Sequence, residues 1–224
     1  MLQKDGDVVD LKLVPYKVLI SMEQHHERRK HAQKQFSQLG MAVDWKIPTR
    51  IEHIPWAALP ASYEHSAKYT SQAVTLLDVL EEVERRKVDS FMLLEDDVIF
   101  HSDIVNLLPK IRVPRDWRFI YIGGRNNGIK EEVAPGLVRS TFVSDLHAVI
   151  IRSSMIDALR MALLDPAIDS HLADLRIASL HKKYPAYLCR PNLAWQSVHG
   201  NGSPDGKATS NYNEDGSVVQ DEGD

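Results

Sequence analysis

The chain lacks the features that mark secreted, membrane-spanning or nucleic-acid-binding proteins. Its single cysteine, Cys189, excludes an internal disulfide and any cysteine-based zinc or iron–sulfur site, which favours a reducing compartment. No apolar run approaches the roughly 18 residues of a membrane span, and the first residues lack the apolar core of a signal peptide. With 27 basic and 31 acidic residues, it has no excess of positive charge for binding nucleic acid. We therefore expect a cytoplasmic protein with no transmembrane segment and no nucleic-acid partner.

The composition is that of an ordinary globular domain, followed by a tail of different character. The chain has 224 residues, of which 43% are hydrophobic and 26% charged, which suits one α/β domain. We assign residues 1–200 to that domain. Residues 201–224 are rich in Gly, Asn and acids, and a segment without apolar content cannot offset its ordering entropy. We therefore expect a flexible tail.

Predicted strands and helices alternate along the first half of the chain. Short apolar runs at residues 17–22, 46–54 and 91–94 are typical of strands, and residues 24–39 and 68–87 have helical patterns. This alternation predicts a mostly parallel central sheet flanked by helices. Further along, the pattern predicts strands at residues 118–122, 144–151 and 186–189, a helix over residues 169–181 and a mobile surface loop over residues 125–137.

Three carboxylates follow the most apolar of these runs, at Glu95, Asp96 and Asp97. Burying an unpaired carboxylate costs several kcal/mol, so this group needs partners or water. The carboxyl ends of strands in α/β sheets bind ligands, and Mg²⁺ and Mn²⁺ prefer oxygen ligands shared with substrate phosphates. The motif therefore predicts a metal-assisted site for a phosphate-bearing substrate, and the alternative is a solvated acidic turn. Because side chains alternate along an extended segment, Glu95 and Asp97 should lie on one side and Asp96 on the other. We expect Asp97 to bind the metal and Glu95 to contact the ribose or a metal-bound water.

Five segments carry a family resemblance: VLISMEQHHERR, LLEDDV, DWRFIYIGG, HAVIIRSSMIDAL and AIDSHLADL. In this order, over roughly residues 16–198, they resemble glycosyltransferase family 25, the lipooligosaccharide β-galactosyltransferase and collagen galactosyltransferase group. The resemblance implies a GT-A-type fold, the fold of nucleotide-diphospho-sugar transferases. It also implies transfer of a hexose such as galactose from a UDP-sugar to a saccharide or other hydroxyl acceptor, with inversion and with Mn²⁺ or Mg²⁺ as cofactor.

The donor site is predicted at the start of the chain and at the acidic motif. Ser21 follows the first strand, where α/β folds place nucleotide contacts. Arg28, or its neighbour Arg29, can reach a phosphate or the base, although a run of charges is commonly the solvated face of a helix. We assign Ser21, Arg28, Glu95 and Asp96 to donor binding.

An inverting transfer needs a carboxylate that takes the proton of the acceptor hydroxyl. We assign this role to Asp169, which as an Asp at a predicted helix start could instead be an N-cap. Asp145 and Asp174 are rival bases. His199, just beyond the last predicted strand, is a candidate second metal ligand, with His171 as the runner-up.

One departure from the family pattern supports a rival function. Where the family has a Ser-His pair about one helix before the acidic motif, this chain has Ser71-Gln72. A catalytically inactive or repurposed GT-A module that binds nucleotide or glycan is therefore the alternative. Phosphotransfer is a third possibility, but Glu95 then occupies the position of the expected nucleophilic Asp. Trp56, Trp117 and Trp195 are candidate sugar-stacking residues, with burial in the core as the ordinary alternative.

Overall fold

A computed structural model of the protein describes residues 6–197, so His199 and the predicted tail lie outside the described residues. Within them the α-helices are α1 (His26–Leu39), α2 (Ala67–Arg86), α3 (Ile104–Leu107), α4 (Ile156–Leu164) and α5 (Ala173–Ala178). None of these helices is both long and apolar enough to span a bilayer. The strands of the same region are β1 (Asp7–Val8), β2 (Tyr16–Ile20), β3 (Asp44–Lys46), β4 (Ser90–Glu95), β5 (Val98–Phe100), β6 (Arg112–Val113), β7 (Phe119–Tyr121), β8 (Arg125–Asn126), β9 (Lys130–Ala134), β10 (Leu137–Ser140), β11 (Val143–Ser144), β12 (Ala148–Arg152), β13 (Ala186–Cys189) and β14 (Ala194–Gln196).

The central sheet has eight strands in the order β3-β2-β4-β12-β7-β13-β10-β9. The predicted α/β fold, with a central sheet flanked by helices, is confirmed. The sheet is mixed rather than mostly parallel. Strand β2 runs parallel to β3 and β4, and β7 runs parallel to β13, but the other four pairings are antiparallel. The parallel pairs lie mainly in the first half of the chain, where helices supply the long crossovers that parallel strands need.

Residues 125–137 form strands, so the predicted mobile loop is wrong. They contain β8 and β9, and β9 pairs with β10 in an antiparallel hairpin at the edge of the central sheet. Most of β9 is exposed, because an edge strand needs to bury little of its side-chain surface. Charged residues are common on such edges, since they discourage pairing with other chains. The charge that suggested a loop is thus a property of an edge strand.

Two apolar layers cover the faces of the sheet, and strand β4 contributes to both. Met92 and Leu94 pack toward α1, whereas Phe91 and Leu93 pack toward α2, α4 and α5. Strand β4 is therefore a fully buried central strand, as its continuous apolar run predicts. Its neighbour β2 ends at the same level, with Ile20 paired to Glu95. The residues that follow the two strands consequently meet at one edge of the sheet.

Candidate active site

Asp96 is the anchor of the acidic motif. It is buried, and its carboxylate lies 2.6 Å from Ser21 Oγ, 2.8 Å from His25 Nδ1 and 3.1 Å from Arg28 Nη1. The hydroxyl and the guanidinium donate to it. Ser21 and His25 belong to the segment that joins β2 to α1, and Arg28 lies in the first turn of α1, so the contacts fasten this segment and the start of the helix to the end of β4. The structure thus brings together three of the residues that were predicted to bind the donor, Ser21, Arg28 and Asp96. The carboxylate of Asp96 is buried against the other two side chains.

Asp97 is the member of the motif with unused bonding capacity. Its Oδ2 lies 4.0 Å from Arg28 Nη1, and within residues 6–197 its buried Oδ1 has no hydrogen-bond partner. Burial raises the pKa of Asp97 to about 6, against the opposing charge of Arg28. A buried carboxylate oxygen without a partner is costly, and a bound ion or ordered water is the usual explanation.

Glu95 is held from two sides by amide groups. Gln72 Nε2 on α2 donates to Oε1 at 2.7 Å, and Gln196 Nε2 on β14 donates to Oε2 at 3.0 Å. Burial raises the pKa of Glu95 well above its ordinary value, and the charges of Asp97 and Asp145 raise it further. The side chain is therefore fixed in place amid negative charge. Neither glutamine was predicted to contribute here, although Ser71-Gln72 marked the helix that does.

Asp145 and Asp174 complete a cluster of four carboxylates with Glu95 and Asp97. The charge of each raises the pKa of Glu95, and the backbone N–H of Asp145 donates to Asp174 Oδ2 at 3.2 Å. Asp145 has a φ of 70°, a left-handed conformation that is uncommon for a non-glycine residue and that often occurs at functional sites. Arg125, which was not predicted as a site residue, lies beside it with Nε 3.9 Å from Oδ2.

A buried neutral imidazole, His181, contacts Tyr121 near the cluster. The Val143 N–H donates to His181 Nδ1 at 3.1 Å, so the proton resides on Nε2, which faces the Tyr121 hydroxyl at 3.3 Å. Burial lowers the pKa of His181 to about 3. Burial and the charges of Asp174 and Asp145 raise the pKa of Tyr121. Tyr121 and His181 are therefore uncharged near neutral pH and add no positive charge near Asp145 and Asp174.

Gly123 allows β14 to approach the end of β7. A Cβ at this position would lie 1.9 Å from the Ala194 carbonyl oxygen and 2.8 Å from His147 Nε2. This close approach explains the first glycine of the Gly-Gly pair after β7. Because Gln196 follows on the same strand, the contact also fixes the strand that delivers one amide to Glu95.

Among residues 6–197, Asp169 and the three candidate tryptophans form no hydrogen bond or ion pair with the four carboxylates. Asp169 is exposed in the loop between α4 and α5, and among residues 6–197 no contact joins it to the cluster. Trp117 is buried in the core, its ordinary alternative, and Trp195 contacts the ring of His101. Trp56 is partly exposed in a short helical turn. The predicted ligand role of His199 falls outside the described residues.

The arrangement suits a divalent cation that takes few ligands from the protein. Within residues 6–197, no three carboxylate, imidazole or thiolate side chains form a complete metal-binding set. Mg²⁺ and related ions commonly use one or two carboxylates and take their remaining ligands from substrate phosphates and water. Asp97, with its unpartnered Oδ1, fits that requirement, and Glu95 and Asp145 add negative charge around it.

Comparison with known proteins supports the fold but assigns no family. No family model matches the sequence, and no curated protein matches it significantly. Among solved structures, A197 from STIV is 15% identical with a TM-score of 0.50, over 86% of this chain and 91% of that chain. A glycosyltransferase involved in the glycosylation of the major capsid of PBCV-1 is 9% identical with a TM-score of 0.38, over 66% and 65%. UDP-glucose pyrophosphorylase complexed with UDP-glucose is 7% identical with a TM-score of 0.40, over 78% and 72%.

These similarities concern the fold alone. A197 shares the architecture over most of both chains, at an identity too low to transfer an activity. The other two structures overlap more loosely, with TM-scores of 0.38 and 0.40. The resemblance to glycosyltransferase family 25 therefore depends only on the sequence motifs. The protein therefore has a mixed α/β fold, with an acidic cluster at the carboxyl end of the central strand β4.

Proposed function

We propose that the protein is a metal-dependent glycosyltransferase of GT-A type. It transfers a hexose such as galactose from a UDP-sugar to a saccharide or other hydroxyl acceptor, with inversion. The observation that carries the proposal is the unpartnered, buried Oδ1 of Asp97 in a cluster of carboxylates at the end of β4. That edge of an α/β sheet is where phosphate-bearing ligands bind, and the motif resemblance supplies the class of donor.

Asp97 would hold Mn²⁺ or Mg²⁺, with the donor diphosphate completing the coordination. A bound divalent cation stabilises the negative charge that develops on the departing diphosphate. Crowded carboxylates repel one another, and positive charge at this position would relieve that repulsion. Asp96 has a different role. Its bonds to Ser21 and His25 fix the β2–α1 segment, which keeps the Arg28 guanidinium beside Asp97 and in reach of a phosphate.

Asp145 suits the role of general base better than Asp169. It belongs to the carboxylate cluster, its left-handed backbone fixes its direction, and its backbone N–H is anchored by Asp174. The guanidinium of Arg125 lies beside it, with Nε 3.9 Å from Asp145 Oδ2. As the acceptor oxygen attacks the sugar, Asp145 would accept the hydroxyl proton while the UDP departs from the opposite face.

The first test is thermal unfolding with UDP, GDP, CMP and ADP, each with and without Mn²⁺. A nucleotide at about 100 times its Kd should stabilise the protein by about 2.7 kcal/mol. We expect stabilisation by UDP that depends on Mn²⁺ and is lost in Asp97→Asn. The matched control is Asp157→Asn, which removes an exposed carboxylate on α4 that pairs only with a neighbouring arginine.

Two results would contradict the proposal. The first is the absence of any nucleotide response in the wild type. The second is an undiminished response in Asp97→Asn. UDP release from UDP-galactose with Mn²⁺ then tests turnover.

A nucleotide-binding module without turnover is the second candidate. The observation that favours it is Gln72, which contacts Glu95 where family members carry a histidine. An amide cannot titrate, so any proton transfer assigned to that histidine is lost. Metal-dependent UDP binding without UDP release from UDP-galactose, UDP-glucose or other UDP-hexoses would support this module over the transferase.

A further inference from the structure

Three rings lie close together between the start of α2 and the loop before α5. The ring centroids of Tyr69 and His171 are 5.4 Å apart, and those of His65 and His171 are 6.3 Å apart. Tyr69 and His171 are half-buried, and His65 is exposed. We call His65, Tyr69 and His171 the ring cluster. Each ring combines an apolar face with an atom that can form hydrogen bonds.

Both segments that carry the ring cluster also carry a residue of the acidic site. On α2, Tyr69 lies three residues before Gln72, so the two side chains share a face of the helix. Gln72 donates its hydrogen bond to Glu95 at 2.7 Å. In the other segment, His171 lies three residues before Asp174. The negative charge of Asp174 raises the pKa of Glu95. Tyr69 and His171 are thus each three residues along the chain from a side chain of the acidic site, and on this basis we infer that the ring cluster lies on the same side of the molecule.

The polar atoms of the ring cluster are available to a ligand. Among residues 6–197, the side chains of His65, Tyr69 and His171 make ring contacts but no hydrogen bonds and no ion pairs. Buried tyrosines of the same protein behave differently, since the Tyr63 hydroxyl donates to the Leu163 carbonyl. A half-buried tyrosine whose hydroxyl has no protein partner is typical of binding surfaces, where a ligand or water completes the hydrogen bonds.

We propose that the ring cluster is the acceptor subsite, in which a pyranose ring packs against Tyr69 and His171 and its hydroxyls hydrogen-bond to the imidazoles. This inference rests on the proposed transferase function and adds the location and chemistry of the acceptor site. The apolar face of a pyranose matches an aromatic face, and the few polar atoms set its orientation. The ring cluster lies on the α2 and α5 side of Glu95, whereas Ser21 and Arg28 lie on the α1 side with Asp96. Acceptor and donor would thus approach the carboxylates from different sides.

Saturation-transfer NMR with four methyl glycosides tests the proposal without knowledge of the natural acceptor. The probes are the methyl pyranosides of glucose, galactose, mannose and N-acetylglucosamine. We expect at least one to bind the wild type and Tyr69→Phe, which keeps the ring. Binding should weaken about five-fold or more in Tyr69→Ala and in His171→Ala, since an aromatic stacking contact is worth about a factor of that size. Trp56→Ala removes the partly exposed ring that the sequence also offers for sugar stacking, so it distinguishes the ring cluster from that alternative.

The outcomes separate this inference from the proposed function. Absence of signal from all four probes in the wild type, or equal signals in Tyr69→Ala, would overturn the acceptor subsite. An equal loss in Trp56→Ala would overturn it as well. The Mn²⁺-dependent UDP response is measured on Tyr69→Ala and Trp56→Ala and should be unchanged in both. If that response is absent throughout while the glycoside pattern holds, the transferase proposal fails and the ring cluster remains a saccharide site.

Discussion

The buried histidine His181 should reduce the stability of the protein in mild acid. Burial also lowers the pKa of His147, to about 4, so His147 acts in the same sense in the wild type and in a variant of His181. The His181 ring packs between Phe119 and Tyr121, with centroids at 4.8 Å and 5.4 Å, and accepts a hydrogen bond from the Val143 N–H. Burial lowers the pKa of His181 from 6.5 to about 3. Protonation would remove the acceptor at Nδ1 and place a charge among apolar groups, so the folded state resists it.

The size of the effect follows from the difference between the two pKa values. At pH 5 the unfolded chain holds a proton on residue 181 and the folded chain does not. Above pH 6.5 the histidine is neutral in both states and the folded state keeps its full stability. As the pH falls from 6.5 toward 3, only the unfolded chain takes up the proton, so this stability is lost. For a group whose pKa is lowered this far, protonation of the unfolded chain reduces the free energy of unfolding by about 2 kcal/mol between pH 7 and pH 5. Glu95, Asp97 and Asp174 act in the opposite sense, because their pKa values are raised in the fold.

Comparison with a variant isolates the histidine from these carboxylates. We expect urea unfolding to show that the wild type loses about 2 kcal/mol more than His181→Asn between pH 7 and pH 5. Asparagine can still accept the Val143 N–H but does not titrate. His53→Asn, at an exposed position, should behave like the wild type. Equal losses in the wild type and His181→Asn would refute the assignment of His181 as a neutral, buried imidazole.

Three further predictions follow from single contacts. Asp145→Asn should abolish sugar transfer but retain Mn²⁺-dependent UDP binding, whereas Asp169→Asn should retain both; the reverse pattern would restore Asp169 as the base. Arg176→Leu should cost about 3 kcal/mol or more in urea unfolding, because the buried guanidinium donates to four backbone carbonyls and a serine hydroxyl that would lose their partner. Gly123→Ala should lower the free energy of unfolding by about 2 kcal/mol, since its methyl group would collide with the Ala194 carbonyl; an unchanged Tm would contradict that close approach.

The local features of the chain were predictable because they depend on neighbours in sequence. A continuous apolar run predicts a buried central strand, and β4 is one. A helical pattern predicts α2, and the structure has it at Ala67–Arg86. The carboxylates after β4 were predicted to lie at a strand end, and the pairing of Ile20 with Glu95 brings Ser21 to that same edge.

The strand directions in the second half of the sheet were not predictable in the same way. Strand β12 is as apolar as a parallel strand but runs antiparallel to both of its neighbours. Hydrophobic periodicity reports burial and does not report direction. The charges of β9 likewise indicated exposure, and exposure is shared by loops and edge strands.

The sequence by itself determined the α/β class, the buried strand β4 and the position of the acidic motif, because each depends on residues close together along the chain. Only the tertiary structure decided which side chains surround that motif. Gln72, Asp145, Asp174 and Gln196 come from four separate segments, and they meet at Glu95 through the packing of helices and strands distant in sequence. The same packing left Asp169 outside the cluster. Contacts over such separations depend on strand order and direction, which no local pattern encodes.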